Sequence, residues 1–352
     1  MNDLWKNNLR KIEPYVPGEQ SKDRDIVKIN ANENPYPPSP RAVAALKAFD
    51  TDRLRFYPQA DSLPLKEAIA DFYGVKAENV FVGNGSDDVL ALAFQSFFNG
   101  DKPIAFPDIT YSFYPVWCDL FGIKYTNPAL DEDFRINPDD YKAENGGVVI
   151  PNPNAPTSIG EGTEFVEKTL EYNNDCVVII DEAYCDFGGT TSVPLTKKYE
   201  NLLITGTFSK SRSLAGIRLG FAIGSKALID TLEAVKNSYN SYTIDSLSIA
   251  MGVEAMNDTE YFYKMIDKIK TTRQRVTDEL RALGFNVLDS QTNFIMATHK
   301  SYDMKEMFEY LKENKIFIRY FNQPRINKYV RITIGTDEEM NRFLQGVKDF
   351  IG

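Results

Sequence analysis

The stretch "CVVIIDEAYCDF" at residues 176–187 decides the fold, because five apolar residues run without a break into two carboxylates. A run without alternation between apolar and polar positions predicts a strand that is buried on both faces, as in a parallel sheet. Similar short runs precede and follow it, and longer amphipathic stretches separate them. We therefore predict an α/β fold with a mostly parallel central sheet and helices on both faces.

The same pattern gives the other elements of this part of the chain. Strands are predicted at residues 79–83, 102–106, 123–127, 147–151, 176–181, 201–206 and 218–224, and helices at 64–73, 86–98, 111–121 and 161–173. After about residue 244 long helical stretches alternate with a few short strands, which predicts a smaller α+β domain. The expected division is an N-terminal segment (1–35) that packs on the small domain or the interface, a large domain (36–244) and a small domain (245–352).

The composition of the chain argues against several classes of partner and of catalytic site. The net charge of −10 over 352 residues disfavours nucleic acid and anionic membranes as partners. The single histidine, His299, argues against a Ser-His-Asp system or a histidine metal site, so we expect no metal. Three cysteines without a C-x-x-C pair, no signal peptide and no membrane span predict a cytoplasmic protein.

In an open α/β sheet the ligand site lies at the carboxyl ends of the strands, so the residues that follow each strand are informative. After the first strand, Gly85, Ser86 and Asp87 open a helix whose free N–H groups can bind an anion, although an ordinary capped helix fits as well. Tyr111 could stack on a flat ring or simply fill the core. Asn154 could donate to a ring oxygen or belong to a proline-rich turn.

Charged residues follow the two central strands. Asp181 comes directly after the buried run, where a carboxylate needs a cationic partner, although a helix cap would also fit. Tyr184 lies three residues further on. Lys210 is either a surface lysine or an amine that forms a Schiff base with an aldehyde. Hydroxyls and a guanidinium that suit a phosphate surround it in the sequence: Thr207, Ser209 and Arg218.

Together these residues describe a site for pyridoxal phosphate. Lys210 would capture the aldehyde, Asp181 would keep the pyridine nitrogen protonated, and Tyr184 and Asn154 would hold the phenolic oxygen. The phosphate would be held by Ser86, Asp87, Thr207, Ser209 and Arg218.

The motifs that carry this pattern resemble those of the class I and II aminotransferases, pyridoxal-phosphate enzymes of fold type I. They are "NENPY" (32–36), "GNGSDD" (83–88), "PNPNAPTS" (151–158), "DEAY" (181–184), "TFSKSRSLAGIRLG" (207–220) and "RITIG" (331–335). Further stretches, "NLRKIEPYVPG" (8–18), "INANENPYPPSP" (29–40), "IFIRYF" (316–321) and "YVRITIGT" (329–336), are similar to members that act on histidinol phosphate.

The resemblance implies transfer of an amino group between L-histidinol phosphate and 2-oxoglutarate, a step of histidine biosynthesis. It implies that Arg331 binds the substrate carboxylate, that Arg319 helps to bind the substrate phosphate, and that Tyr57 reaches the cofactor phosphate of a neighbouring subunit in a homodimer. Tyr15 and Asn32 are implied as substrate-pocket residues. The catalytic residues are then Lys210, Asp181 and Tyr184.

Two positions depart from the family pattern. The usual motif is N-P-T-G, whereas this chain has Ala155 before the proline and Ser158 in place of the glycine, so Asn154 would make the ring contact from one position earlier. Arg212 stands where the family usually has a small or aromatic residue, and the sequence offers no account of it.

Other functions share these motifs. An aromatic amino acid aminotransferase or a threonine-phosphate decarboxylase would use the same cofactor site and differ only in substrate. A non-catalytic pyridoxal-phosphate-binding regulator would need a DNA-binding segment, for which this acidic chain has no basic patch. A nicotinamide oxidoreductase would need a glycine fingerprint after the first strand, which is missing.

Overall fold

The computed structural model of the chain describes residues 4–15, 25–142 and 144–352. Its strands are β1 (Val27–Lys28), β2 (Val80–Gly83), β3 (Ile104–Ala105), β4 (Tyr125–Thr126), β5 (Gly147–Pro151), β6 (Val178–Asp181), β7 (Leu202–Thr207), β8 (Gly220–Gly224), β9 (Phe285–Val287), β10 (Phe294–His299), β11 (Ile316–Phe317), β12 (Arg319–Tyr320) and β13 (Val330–Thr333). Its helices are α1 (Pro40–Lys47), α2 (Leu63–Tyr73), α3 (Ser86–Phe97), α4 (Phe113–Phe121), α5 (Thr163–Tyr172), α6 (Lys226–Tyr239), α7 (Ser246–Asn257), α8 (Thr259–Ala282), α9 (Met304–Glu313) and α10 (Asp337–Ile351).

The central sheet has seven strands in the order β2-β8-β7-β6-β5-β3-β4. Strand β8 runs antiparallel to both of its neighbours, and the other pairings are parallel. The predicted α/β fold with a mostly parallel sheet is therefore confirmed. The strands at the centre of the sheet are buried throughout, which explains the unbroken apolar runs in the sequence.

Helices cover both faces of this sheet. Val178 and Ile180 of β6 point to one face, where they join a core that includes residues of α2, α5 and α7. Ile179 between them points to the other face and joins residues of α3, α4 and α6. Because neighbouring side chains of a strand point to opposite faces, each short strand contributes to both cores.

Two predicted strands are much shorter than expected. The runs at 102–106 and 123–127 form only β3 and β4, the outermost parallel strands, and both residues of β4 are exposed. The strand predicted from residue 218 begins at Gly220, because Arg218 has the left-handed φ of 54° that no strand residue adopts.

The rest of the chain builds a second layer with its own core. Strands β12-β13-β10-β9 form an antiparallel sheet, and β1 from the start of the chain pairs in parallel with β11. Residues of α8, α9 and α10 pack with these strands in one apolar cluster. The exact domain boundaries, including those of the 1–35 segment, stay a prediction, and residues 16–18 of the "NLRKIEPYVPG" stretch lie outside the described residues.

No helix in the described part of the chain combines the length and the apolar character that crossing a membrane requires. All three cysteines are free.

Candidate active site

A cavity of about 220 Å³ opens at the carboxyl ends of β5, β6 and β7. Most of the predicted site residues line it: Ser86, Asp87, Tyr111, Asp181, Tyr184, Thr207, Ser209, Lys210 and Arg218. The wall is completed by Ala31, Glu33, Pro151, Ala155, Ala183 and Ala215. The strand-end rule thus brings together residues as far apart in sequence as Ser86 and Arg218.

Asp181 lies buried at the floor of the cavity, at the end of β6. Its carboxylate accepts hydrogen bonds from the Tyr114 hydroxyl (2.9 Å), the Ala183 N–H (3.2 Å) and the Thr205 hydroxyl (3.3 Å). Burial raises the pKa of Asp181 to about 6, although these three donors act against the rise. No ion pair in the described residues involves Asp181, so the carboxylate suits a cationic ligand atom.

Lys210 is held from the N-terminal segment of the chain. Its Nζ donates to the carbonyl oxygen of Ala31 (3.3 Å) and lies 5.7 Å from the centre of the Tyr184 ring. The amide of Asn34 donates to the carbonyl oxygens of Lys210 (2.9 Å) and Ser211 (3.3 Å). Both the amine and the backbone of Lys210 are therefore fixed by residues more than 170 positions away.

The start of α3 can receive an anion. Its N-cap, Gly85, has a φ of +86° and no side chain that caps the helix, so the first N–H groups remain available. A Cβ at Gly85 would lie 2.5 Å from a guanidinium nitrogen of Arg218, so glycine lets this arginine approach. Arg218 also contacts the Asp87 carboxylate (3.2 Å) and the Ser209 hydroxyl (3.4 Å).

Tyr111 forms the side wall. Its hydroxyl donates to the Asp87 carboxylate (2.7 Å), and burial together with this carboxylate raises the pKa of Tyr111. The hydrogen bond fixes the ring at the cavity edge. Its position is compatible with the ring-stacking role expected from the sequence, which stays a prediction.

Asn154 does not line the cavity. Its Nδ2 donates to the Ile109 carbonyl oxygen and to the Thr157 hydroxyl, both at 3.0 Å, within a turn that carries cis bonds before Pro153 and Pro156. The neighbouring Ala155 is the residue of this turn that lines the cavity. The expectation that Asn154 contacts the ring from one position earlier is not supported by this geometry, because its amide nitrogen is used by the turn.

Arg331 and Arg319 lie directly opposite each other on β13 and β12. Arg331 donates to the Asn30 carbonyl oxygen (3.0 Å), and its buried Nε has no partner in the described residues. Burial lowers the pKa of Arg331 to about 10, and the charge of Arg319 acts in the same direction. Two like charges placed together without an ion pair in the described part of the chain indicate a site for an anion.

Asn32 and Tyr15, predicted as pocket residues, lie beside this site. Asn32 is buried, and its Nδ2 donates to the Tyr184 hydroxyl oxygen (2.9 Å). Tyr15 stacks on Phe113 with the ring centres 4.2 Å apart. The Tyr15 and Tyr184 side chains both lie close enough to the Arg331 guanidinium to interact with it, so all three lie close together.

Tyr57 lies apart from the cavity. It is 80% exposed, and its ring stacks on Tyr242 at 4.5 Å. Among the described residues Tyr57 makes no contact with the cavity of its own chain, and its role at the cofactor phosphate of a neighbouring subunit stays a prediction.

Arg212 receives a structural explanation. Its buried guanidinium lies 4.7 Å from the centre of the Phe72 ring and 4.1 Å from that of Phe262, and it donates to the Ala255 carbonyl oxygen (2.7 Å). Cation–π contacts with these two rings compensate in part for the loss of water. Arg212 thus attaches the segment that carries Lys210 to helices α2, α7 and α8.

Sequence reasoning missed four residues that support the site: Asn30, Ala31, Asn34 and Tyr114. Three of them belong to the stretch "NANEN" (30–34), whose density of asparagine was a signal for side chains that bond backbone groups. Tyr114 had no such signal, because a tyrosine in an aromatic helix is expected in the core.

The sequence of this chain is similar to those of known aminotransferases. The sequence profile of "Aminotransferase class I and II" matches residues 24–347. A histidinol-phosphate aminotransferase of Acinetobacter baumannii (strain SDF) is 51% identical over 351 residues, covering 99% of this chain and 97% of that protein. One of Lactococcus lactis subsp. cremoris (strain MG1363) is 48% identical over 347 residues, covering 99% and 98%.

A solved structure shares the fold. The histidinol-phosphate aminotransferase of Sinorhizobium meliloti, solved in complex with pyridoxal-5'-phosphate, superimposes with a TM-score of 0.83 at 22% identity, covering 92% of this chain and 91% of that one.

Proposed function

Since the chain belongs to the class I and II aminotransferases, we propose that it transfers the amino group of L-histidinol phosphate to 2-oxoglutarate, giving imidazole acetol phosphate and glutamate. The transfer is a step of histidine biosynthesis, and the proposed location is the cytoplasm. The relatives at about half identity over nearly the whole chain are named for this substrate.

The observation that carries the proposal is the arginine pair. Arg331 and Arg319 face each other without an ion-pair partner among the described residues, close to Tyr184 at the cavity. Histidinol phosphate has a phosphate and no carboxylate, whereas glutamate has two carboxylates. Two guanidinium groups can bind either anion, since their planar forks match phosphate and carboxylate alike.

The cavity also fits pyridoxal phosphate. Asp181, a buried carboxylate with no cationic partner in the part of the chain that the structure describes, suits a protonated ring nitrogen. The uncapped start of α3 with Arg218 suits a phosphate. Ser86, Thr207 and Ser209 add hydroxyl donors on the same side. When bound, the cofactor supplies an aldehyde that holds the amino group and a ring that accepts negative charge.

The side chains of the protein then have separate tasks. Lys210 takes the proton from Cα of the amino substrate and returns it, because its amine is the base that lines the cavity and is held there by Ala31. The negative Asp181 carboxylate would stabilise the positive charge of the protonated ring nitrogen, and that positive charge stabilises the negative charge that develops during the reaction. Tyr184 directs a hydroxyl into the same space.

One arginine pair must serve two substrates. Histidinol phosphate and 2-oxoglutarate therefore occupy the site in turn, and the first product leaves before the second substrate enters. This order predicts ping-pong kinetics.

The direct test follows the visible absorbance of the protein loaded with pyridoxal phosphate. Addition of L-histidinol phosphate alone should remove the visible absorbance band of the bound pyridoxal phosphate, and 2-oxoglutarate should restore this band. A band that responds to an aromatic amino acid and ignores histidinol phosphate would reject the substrate, and release of carbon dioxide would indicate a decarboxylase.

Arg331→Gln is expected to raise KM for both histidinol phosphate and 2-oxoglutarate by about 10- to 100-fold, the range of a lost charged hydrogen bond. Arg319→Gln should raise KM mainly for histidinol phosphate. Steady-state kinetics with each substrate varied checks both. The matched control is Arg342→Gln on the exposed side of α10, which contacts only Asp25 among the described ion pairs; equal effects of all three variants would contradict the assignment.

We also propose that the working unit is a homodimer. Tyr57 belongs to a group of exposed large side chains that also contains Leu54, Phe56, Tyr239 and Tyr242. An exposed apolar patch of this kind is typical of a protein interface. In a homodimer Tyr57 would reach the cofactor phosphate of the partner chain, which explains why it lies outside the cavity of its own chain.

Tyr57→Phe is expected to weaken the binding of pyridoxal phosphate by about tenfold, because one hydroxyl donor to a charged phosphate is lost. Equilibrium dialysis measures the Kd, and sedimentation should show an unchanged dimer. Tyr239→Phe removes a hydroxyl from an equally exposed tyrosine and serves as control. A monomer in sedimentation would contradict the dimer proposal directly.

A further inference from the structure

Asn32 stands out because all of its polar groups are used and one of them contacts a catalytic residue. Its N–H donates to the Thr333 hydroxyl (3.0 Å), and its carbonyl oxygen accepts from Asn293 Nδ2 (3.0 Å). Its Oδ1 accepts from the Thr333 hydroxyl (3.1 Å), and its Nδ2 donates to Tyr184 Oη (2.9 Å). Its φ of 55° is a left-handed conformation that asparagine tolerates well.

These bonds fix which way the amide points. The Thr333 oxygen accepts the Asn32 N–H, so the Thr333 proton is free to be donated and goes to Asn32 Oδ1. The other end of the amide, Nδ2, must then face Tyr184. The phenol oxygen of Tyr184 is therefore an acceptor toward Asn32, and its own O–H proton has to point elsewhere.

The open direction for that proton is the cavity. Tyr184 lines it, and the opposite turn contributes the methyl group of Ala155, since the Asn154 amide nitrogen is bonded within the turn. A phenol that accepts a hydrogen bond is also a better donor, because polarisation along a chain of hydrogen bonds strengthens each one.

We propose that Asn32 is a positioning residue that turns the Tyr184 O–H into the cavity, where it donates to the ring oxygen of bound pyridoxal phosphate. In this way Asn32 and Tyr184 together supply the donor that the Ala155 side of the cavity lacks. The inference rests on the proposed function, because it assumes that this cofactor occupies the cavity. It gives Asn32 a role other than contact with the substrate.

Other charged and titratable groups face Tyr184 and stay the same in the test. They are the Lys210 amine, the Arg331 guanidinium and the hydroxyls of Tyr111 and Tyr114. Because none of them is changed, a shift caused by an Asn32 variant reports the Asn32–Tyr184 contact.

The test measures the pH midpoint of the visible absorbance change of the protein loaded with pyridoxal phosphate. A donor to the ring oxygen stabilises its anionic form, so losing the donor favours uptake of a proton and raises the midpoint. Asn32→Gly, which tolerates the left-handed φ, should raise it by about half to one pH unit, the shift that one hydrogen bond provides.

A double-mutant cycle decides whether Asn32 acts through Tyr184 or contacts the substrate itself. If Asn32 acts through Tyr184, Asn32→Gly adds nothing to the shift already caused by Tyr184→Phe. Additive shifts, or an unchanged midpoint with a raised KM for histidinol phosphate, would overturn the proposal and make Asn32 a substrate contact. Asn293→Ala removes a different bond to Asn32 and should leave the midpoint where it is.

The same experiment separates this proposal from the proposed function. A wild-type protein with a pH-dependent band supports the cofactor whatever the Asn32 variants do. A wild-type protein without any band after pyridoxal phosphate is added would overturn both.

Discussion

Lys210→Ala should fold, bind pyridoxal phosphate and turn over histidinol phosphate at least about 10⁴-fold more slowly than the wild-type protein. The expected loss is this large because Lys210 is both the amine that meets the aldehyde and the base that moves the Cα proton. Within residues 4–15, 25–142 and 144–352 its side chain donates only to the Ala31 carbonyl, so removal of the amine disturbs little of the packing. Single-turnover kinetics with histidinol phosphate measures the loss.

The control is Lys226→Ala, which removes an exposed lysine whose contacts are with Asp230 on the same helix. It should keep full activity. A Lys210→Ala protein with the melting temperature of the wild type and activity within tenfold of it would remove Lys210 from the mechanism.

Asp181→Asn should cause the second large loss of activity. Asparagine can still accept from the Tyr114 hydroxyl, so the change removes the negative charge and keeps the shape. Without that charge a protonated ring nitrogen loses its partner, and kcat should fall by about 10²- to 10³-fold, as for other buried electrostatic groups in active sites.

The neighbouring carboxylate provides a matched control. Glu182 is also buried, but it accepts from the Thr191 hydroxyl (2.6 Å) and the Ser192 N–H (2.6 Å) and does not line the cavity. Glu182→Gln should leave kcat within a few-fold of the wild type. If both variants lose activity equally, the effect comes from general damage to the end of β6.

The pH dependence of cofactor binding tests the same residue. Burial raises the pKa of Asp181 to about 6, so the carboxylate is ionised at pH 7.5 and mostly protonated at pH 5. The affinity for pyridoxal phosphate should therefore fall as the pH drops through 6, by about tenfold at pH 5. Dialysis across this range should show a weaker pH dependence for Asp181→Asn, which retains only the titration of the ligand itself.

The central sheet could be predicted because its strands leave a local signal. Unbroken apolar runs such as 176–180 are forced by burial on both faces, and the rule for parallel sheets then places Asp181 and Lys210 at one edge. The short strands β3 and β4 were predicted too long, since their length depends on how far each neighbour extends.

Contacts across long sequence separations could not be predicted. Asn34 reaches the backbone of Lys210, and Asn32 reaches Tyr184, over distances of 150 residues or more. The asparagine-rich pattern around them indicates side chains that bond backbone groups, but it does not indicate which distant residues they reach. The use of the Asn154 amide by its own turn and the position of Arg212 against two aromatic rings likewise follow only from tertiary packing.

The pairing of β1 with β11 has a consequence for the way in which the protein is made. Val27 of β1 pairs with Ile316 of β11, and the Asn30 carbonyl oxygen accepts a hydrogen bond from Arg331. The segment that contains β1 therefore depends on partners about 300 residues later in the chain. A nascent chain leaves the ribosome from its N-terminus, and the central sheet can assemble before synthesis ends. The anion site cannot, because both of its arginines follow all seven strands of the central sheet in the chain. During translation β1 therefore stays without its partner strand until β11 has been synthesised, and the anion site forms after the central sheet.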